Sequence, residues 1–487
     1  MSVDLGHVAE VVLIRLEWAV LFYFLAVNSI YLLLLVSAVL EMREHVLLSR
    51  GESRWRVLGS SLTPTISMLA PAYNEEATIA ESLRSLLSLS YPSLEVVVVN
   101  DGSKDATMEV LKEHFDLVPI HPVYERVIPC QPVKGLYRSR SRPNLVVVDK
   151  ENGGKADALN AGVNLSTGAL VCAIDADTLI EPDSLQRMVR PFLTGTDVVA
   201  AGGTVRIVNN SVVRAGRVVR TRAPRRAVPG FQVVEYLRAF LFGRLGWNRL
   251  GGNLIISGAF GLFRRDAMLD AGGYLHDTVG EDMEMVLRLR RLGYERGGPR
   301  RIEFVPDPVA WTEAPETLRV LGRQRDRWHR GLADVLWRHR RVMLNPRYGA
   351  MGMVVFPYFV LVELLAPLVE ALGLAGMALG LAVGTVDWPF AALFFLAAYA
   401  LGAVLTAFTL VLEELTFHRY DRMRDRALLV VWALLENVGY RQATVAWRLQ
   451  GLWKYLRGRR DWGAMERRGF GTAPAAAPAE ERRKAAG

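Results

Sequence analysis

The chain has 487 residues, 51% of them apolar, enough to bury a large core and more than one domain. Its two cysteines, Cys130 and Cys172, exclude a disulfide framework and fit a reducing compartment. The net charge of +9 gathers in the C-terminal third and beside apolar segments, which suits cytoplasmic flanks facing anionic lipid and argues against a nucleic-acid partner.

A short segment, 1–17, precedes an almost wholly apolar stretch at 18–40. About 20 apolar residues suffice to cross a bilayer, so 18–40 is expected to be a transmembrane helix. Glu17 stands before it, and Arg43, Arg50, Arg54 and Arg56 follow in a linker at 41–64, which makes the following side cytoplasmic.

Residues 65–345 read as a water-soluble α/β domain. A short strand at 65–70 runs into Pro71-Ala72-Tyr73-Asn74-Glu75-Glu76, and Ile79, Leu83, Leu86 and Leu87 then fall on one face of a helix. A β-branched run from Leu94 closes on Asn100-Asp101-Gly102-Ser103, with a helix near Asp105. Next come a strand at 145–149, a helix from about Lys155, and a strand reaching Asp175-Ala176-Asp177. Such alternation makes a mostly parallel sheet, and ligands bind beyond the C-terminal ends of its strands. Four polar clusters fall there: Tyr73 to Glu76, Asp101, Lys155, and Asp175 to Asp177. A dinucleotide fingerprint is missing after Ala70. Gly153-Gly154-Lys155 is no P-loop either, because Ala156 stands where a hydroxyl is needed.

Mg²⁺ or Mn²⁺ takes carboxylate and phosphate oxygens, and residues i and i+2 of an extended chain point the same way. Asp175 and Asp177 therefore suit a divalent metal with a diphosphate; a helix cap with a buried salt bridge is the plain alternative. Lys155 can pair with phosphate, and Asp101 with a base edge or ribose. Downstream, Glu281 and Asp282 open a helix, as first-turn caps or as a general base. In Gln324-Arg325-Asp326-Arg327-Trp328, Trp328 offers a face to a sugar and Arg327 can grip phosphate.

The last third, 346–456, should hold transmembrane and interfacial helices. Residues 351–386 are apolar but interrupted by Pro357, Glu363, Pro367 and Glu370, and 389–412 is a cleaner span. Residues 428–446 read as a span, a re-entrant piece or an interfacial helix. The basic tail at 457–487, rich in Ala and Pro from Gly471, reads as disordered.

Pro71-Ala72-Tyr73-Asn74-Glu75, Asn100-Asp101-Gly102-Ser103, Lys155-Ala156-Asp157-Ala158-Leu159-Asn160, Asp175-Ala176-Asp177, Ser257-Gly258-Ala259, Glu281-Asp282 and Gln324-x-x-Arg327-Trp328 together resemble the inverting family-2 glycosyltransferases. Their processive membrane branch, the synthases of cellulose, chitin, hyaluronan and poly-N-acetylglucosamine, is the nearest pattern, with the poly-β-1,6-N-acetylglucosamine type foremost. The resemblance implies a GT-A fold, a UDP-sugar donor, Mg²⁺ or Mn²⁺, and transfer to a growing β-linked polysaccharide or, alternatively, one sugar to a lipid acceptor. It also implies a multi-pass protein of the bacterial plasma membrane, in contact with membrane lipids, with a cytoplasmic catalytic domain and with export or accessory proteins as partners. Asp282 would be the base with Glu281 beside it, and Asp177 the main metal ligand beside Asp175. Ala72, Tyr73, Asn74, Glu75, Asp101, Lys155, Ser257 and Gly258 would line the substrate pocket, and Gln324, Arg327 and Trp328 would hold diphosphate and acceptor. The chain departs from the pattern in three places. Gly280 replaces the Thr usual before Glu-Asp, one N-terminal span is clear where two are common, and residues 130–144 look like an extra basic loop. An inactive membrane scaffold is the reading from a different class; intact Asp101, Asp175, Asp177 and Asp282 argue against it.

Overall fold

Valine-rich runs set the centre of the sheet. In the computed structural model, which describes residues 5–51, 63–175, 178–214, 216–298, 300–384 and 388–459, the strands are β1 (Ile66–Ala72), β2 (Leu94–Asp101), β3 (Leu117–Pro119), β4 (Val133–Ser139), β5 (Leu145–Lys150), β6 (Leu170–Ile174), β7 (Leu179–Ile180), β8 (Val198–Ile207), β9 (Val212–Arg214), β10 (Arg217–Arg220), β11 (Phe260–Arg264) and β12 (Arg301–Thr312). Among the described residues one ten-stranded sheet has the order β3-β4-β5-β2-β1-β6-β11-β8-β12-β7. Strands β5, β2, β1 and β6 are mutually parallel, β11 runs against β6 and β8, and β8 is parallel to β12. This is a GT-A-like α/β fold.

Alternation along β2 explains why both faces are covered. Val96 and Val98 enter one core, with Leu83 and Leu111 of helices Ile79–Leu87 and Thr107–Phe115. Val97 and Val99 enter the other, with Leu159 of helix Lys155–Leu165 and Val286 of helix Glu281–Glu295. Two-sided burial leaves the strand ends as the place where polar side chains collect: β1, β2, β5 and β6 all finish on one edge of the sheet, at Ala72, Asp101, Lys150 and Ile174.

Two stretches differ from expectation. Within 130–144, Val133–Ser139 forms an antiparallel strand on β5 rather than a loop. Leu136 is buried against one core, whereas Lys134 and Arg138 point outward, and such charges keep a near-edge strand from pairing with other chains. Residues 428–446 are not one segment either. Helices Met423–Leu435 and Tyr440–Leu456 part at Gly439, whose φ is +78°.

The N-terminal helix runs from Leu5 to Gly51, beyond both ends of 18–40, and its stretch Ile14–Ser49 is long and apolar enough to cross a membrane. Trp18, Phe22, Leu25, Leu32 and Leu33 lie exposed on it. Met351–Leu364 and Ala366–Ala382 pass the same test only as a pair bent by 41°. Pro367 in the first turn and Leu365 at the break mark the bend. Among the described residues there are thus one or two candidate membrane helices. The expected 457–487 tail lies outside the described residues from 460 onward.

Candidate active site

Two loops at the strand ends are laced together. Asn74, in a left-handed conformation at φ +55°, accepts from Lys104 N through its side chain and donates its own N–H to Ser103 Oγ. The Glu75 N–H donates to Thr107 Oγ1, and Glu76 trades hydrogen bonds with the 105–106 backbone and side chain. Ala72 is buried at the end of β1, and Tyr73 beyond it is exposed.

Asp101 anchors the next turn. Its carboxylate accepts from Lys150 Nζ at 2.5 Å, from the backbone N–H of Gly153 at 3.0 Å and Gly154 at 2.7 Å, and from the Asn152 side chain. Lys150 is wholly buried and also meets Asp157 at 2.5 Å, so one ammonium is shared between two carboxylates. Breaking such a buried pair from one side typically costs about 3–5 kcal/mol. The knot fixes the start of the helix that carries Lys155. Lys150 itself was missed in the sequence; the signal was there, a lysine closing a strand beside two aspartate-bearing turns.

Lys155 is the centre of the site. Its ammonium lies 2.5 Å from Asp175 Oδ1 and 3.8 Å from Glu281 Oε1. Burial works against its charge, but the carboxylates of Asp175 and Glu281 outweigh it and raise its pKa. Glu281 is pushed up to about 7, chiefly by burial, with Lys155 opposing and Asp282 reinforcing the shift. Asp282 is held by two backbone donors, the Gly258 N–H at 3.1 Å to Oδ2 and the Met283 N–H at 2.8 Å to Oδ1. A side chain at 258 would meet Asp282 Oδ2 at 3.2 Å and Lys155 Nζ at 3.6 Å, so glycine keeps this corner open.

The donor set suits a hard divalent cation. Asp175 already holds a cationic group, and among the described residues no group of three His, Cys, Asp or Glu side chains is arranged to hold a metal alone. The protein would thus offer one or two carboxylates and leave other positions to phosphate oxygens. Asp177, expected as the main ligand, lies outside the described residues.

A cavity of about 640 Å³ opens from this cluster, within the range of small-molecule sites. Lys155, Asp175, Ser257, Gly258, Glu281 and Asp282 line one end, and Gln324, Arg327 and Trp328 line a side wall. Ala72, Tyr73, Asn74, Glu75 and Asp101 do not line it; they form the adjoining strand-end edge. Helix Leu318–Arg338 supplies the wall, capped by Thr317, whose side chain accepts from Val320 N. Trp328 is 44% exposed with one face covered by Arg325, whose Cζ sits 4.4 Å from the ring centroid and whose charge is met by Glu235 at 2.6 Å. The far end reaches Glu363, Thr444 and Arg448 of the apolar C-terminal region. His329 is there too, kept neutral with its pKa lowered to about 3 by burial and by the Arg448 charge.

One wall was not anticipated. Tyr236, Phe240 and Arg244 also line the cavity. They lie on helix Ala227–Arg238 and its continuation through a wide π turn, Ala239–Arg244. Their spacing of four is a helical-face signal that could have found them.

Residues 67–270 match glycosyl transferase family 2, and residues 170–407 match glycosyl transferase family group 2. The chain is 31% identical over 274 residues to the poly-beta-1,6-N-acetyl-D-glucosamine synthase of Staphylococcus epidermidis, covering 56% of each chain. It is 29% identical over 297 residues to the synthase of the same name from Staphylococcus aureus (strain COL), covering 61% of this chain and 60% of that one. The chain therefore matches little more than half the length of these curated relatives. Among solved structures it is similar to the mannosyltransferase PcManGT from Pyrobaculum calidifontis in complex with GDP-Man and Mn²⁺. That likeness has a TM-score of 0.50 at 21% identity, covers 87% of this chain and 99% of that chain, and is one of fold.

Proposed function

The chain carries a family-2 glycosyltransferase domain, and on that premise we propose that it transfers a sugar, with inversion, from a UDP-sugar to the hydroxyl of a growing β-linked polysaccharide at a membrane. The observation that carries this reading is the meeting of Lys155, Asp175, Glu281 and Asp282 at one end of a cavity whose other end reaches the C-terminal helices. N-acetylglucosamine is the sugar this reading favours, because the relatives named above are synthases of its polymer.

Asp282 takes the proton of the acceptor hydroxyl, and the Gly258 and Met283 N–H groups hold its carboxylate in position. The freed oxygen bonds to the anomeric carbon as the bond to the diphosphate breaks, and that bonding pair leaves with UDP. Lys155, released from Asp175 by the incoming donor, and Arg327 stabilise the negative charge that accumulates there. Asp175 and Asp177 would hold Mg²⁺ or Mn²⁺, which when bound offsets part of the diphosphate charge. The Tyr73–Glu75 and Asp101 turns, on the strand-end edge beside the cavity, would take the nucleoside. Trp328 gives the acceptor chain a stacking face, and repeated addition passes the product along the cavity towards residues 363 and 448.

The test is UDP release from purified membranes across a panel of UDP-sugars, followed by product sizing. Asp282→Asn should abolish transfer while UDP still binds; polymer made at a near-normal rate by that variant removes the base assignment. A single added sugar in place of a ladder would favour transfer to a lipid acceptor.

A further inference from the structure

Arg244 is a cation without a counter-charge in contact. Among the described residues it makes no hydrogen bond and no ion pair, and its Nη1 is buried without a partner. Its guanidinium lies over the Phe240 ring, with Cζ 4.3 Å from the centroid. Burial lowers its pKa to about 10, with the Asp282 carboxylate pulling the other way. A buried guanidinium is costly unless something answers its five donors. Elsewhere around the cavity that answer exists: Arg325 has Glu235, and Arg226 has Glu316.

Phe240 is one step of an aromatic path. Its ring lies 5.9 Å from that of Tyr236, which lies 6.4 Å from Trp328 on the opposite helix. Tyr236, Phe240 and Arg244 follow one another at intervals of four, and the wide turn at 239–244 carries that face on towards Asp282. Such turns recur at functional sites because they re-aim a helix face without ending it. Phe240 itself is 4% exposed and stacked on Phe304 at 6.1 Å, so it backs the wall, while Tyr236 and Trp328 keep ring surface towards the cavity and Arg244 holds an unspent fork of N–H donors at the end nearest the base.

We propose that this wall is a subsite for the terminal pyranose of the acceptor, with the sugar ring lying against Tyr236, and with Arg244, braced from behind by Phe240, donating to an oxygen of that sugar. A pyranose has the matching chemistry, an apolar face of C–H groups and a rim of oxygen acceptors. Fixing that sugar next to Asp282 orients the attacking hydroxyl, which makes Arg244 a positioning residue. The inference rests on the transferase reading above and adds to it which groups select the acceptor.

The test uses the full chain in detergent, UDP-N-acetylglucosamine as donor and a β-1,6-linked N-acetylglucosamine oligosaccharide as acceptor. Arg244→Gln should raise the acceptor KM about tenfold, the loss of one charge-assisted hydrogen bond, while the donor KM moves less than about twofold. Arg244→Lys should recover part of the loss, and Tyr236→Leu should move the acceptor KM in the same direction. An unchanged acceptor KM, or equal rises in both KM values, overturns the subsite. Should Arg244→Gln fail to fold, the Lys and Leu variants decide. Calorimetric titration of the oligosaccharide separates this proposal from its premise. Binding that weakens with Arg244→Gln in a protein releasing no UDP supports the subsite and sinks the transferase reading; binding equal in wild type and variant, or absent from both, sinks the subsite.

Discussion

Glu281 shows what the fold does to a single charge. It is 7% exposed, and burial pushes its pKa up to about 7 although Lys155 stands 3.8 Å away. A carboxyl group whose folded pKa exceeds its unfolded value binds more protons in the folded state between the two. Its contribution to stability is therefore full below about pH 4.5 and is lost as pH rises through 7. At ~1.4 kcal/mol per unit this amounts to about 3 kcal/mol. Glu281→Gln lacks the titration. Melting curves of the two proteins in detergent from pH 5 to 8 should show wild type losing ground steadily to the variant, and parallel curves would refute the buried-carboxyl account. The metal reading belongs to the same few atoms. With Lys155 already on Asp175, EDTA should leave the fold intact, with an unchanged melting temperature, yet stop UDP release, and Mn²⁺ or Mg²⁺ should restore it. Full activity in metal-free buffer would remove Asp175 and Asp177 from that role.

At the level of elements, the join between the turn at Gly280, just ahead of Glu281 and Asp282, and helix Leu318–Arg338 is backbone against backbone. A Cβ on Gly280 would meet Gly331 O at 3.2 Å, and one on Gly331 would meet Gly280 Cα and N at 3.2 Å. Gly280 also stands where the resemblance leads one to expect Thr, and this close approach gives a physical reason for a residue without a side chain. Gly280→Thr, which restores the usual residue, should force the helix bearing Gln324 and Trp328 away from Asp282. We expect a loss of about 1–3 kcal/mol in stability and a fall in UDP release, checked by thermal melts and initial rates. A fully active, equally stable Thr variant would show that the helix can move without cost. Much of the site was legible in the chain because its parts sit at strand ends: Asp101, Lys155 and Asp175 each follow a run of β-branched or apolar residues that could only be a buried strand. What was not legible depends on distant pairing or on a change of helical period. Strand Val133–Ser139 shows its register only against β5, and its basic residues suggested a loop. Tyr236, Phe240 and Arg244 carry a legible spacing of four, but that their face meets the cavity depends on a turn wider than an α-helical one.

Across the whole molecule, buried ion pairs as well as apolar packing join the sheet domain to the C-terminal helices. Arg206 on β8 makes a two-pronged pair with Glu413 of helix Leu401–Thr416, both about 2% exposed, with Trp311 and Phe417 rings 5.9 and 5.6 Å from the guanidinium. Arg238 pairs with Glu436 across the same joint, and Arg441 with Glu370 ties two of the C-terminal helices to each other. Removing one member of a buried pair strands the other charge and costs about 3–5 kcal/mol, whereas replacing both with apolar residues of similar size is often neutral. Glu413→Ala should therefore lower the melting temperature clearly, and Arg206→Met combined with Glu413→Leu should recover most of that loss. If the pair acts only as a structural tie, UDP release measured below the melting temperature follows stability in both variants. A double variant as stable as wild type but unable to extend its product would instead mean that the pair sets how the catalytic domain meets the helices. Equal destabilisation of the single and double variants would show that packing around Trp311 and Phe417, rather than the charge pair, holds this joint.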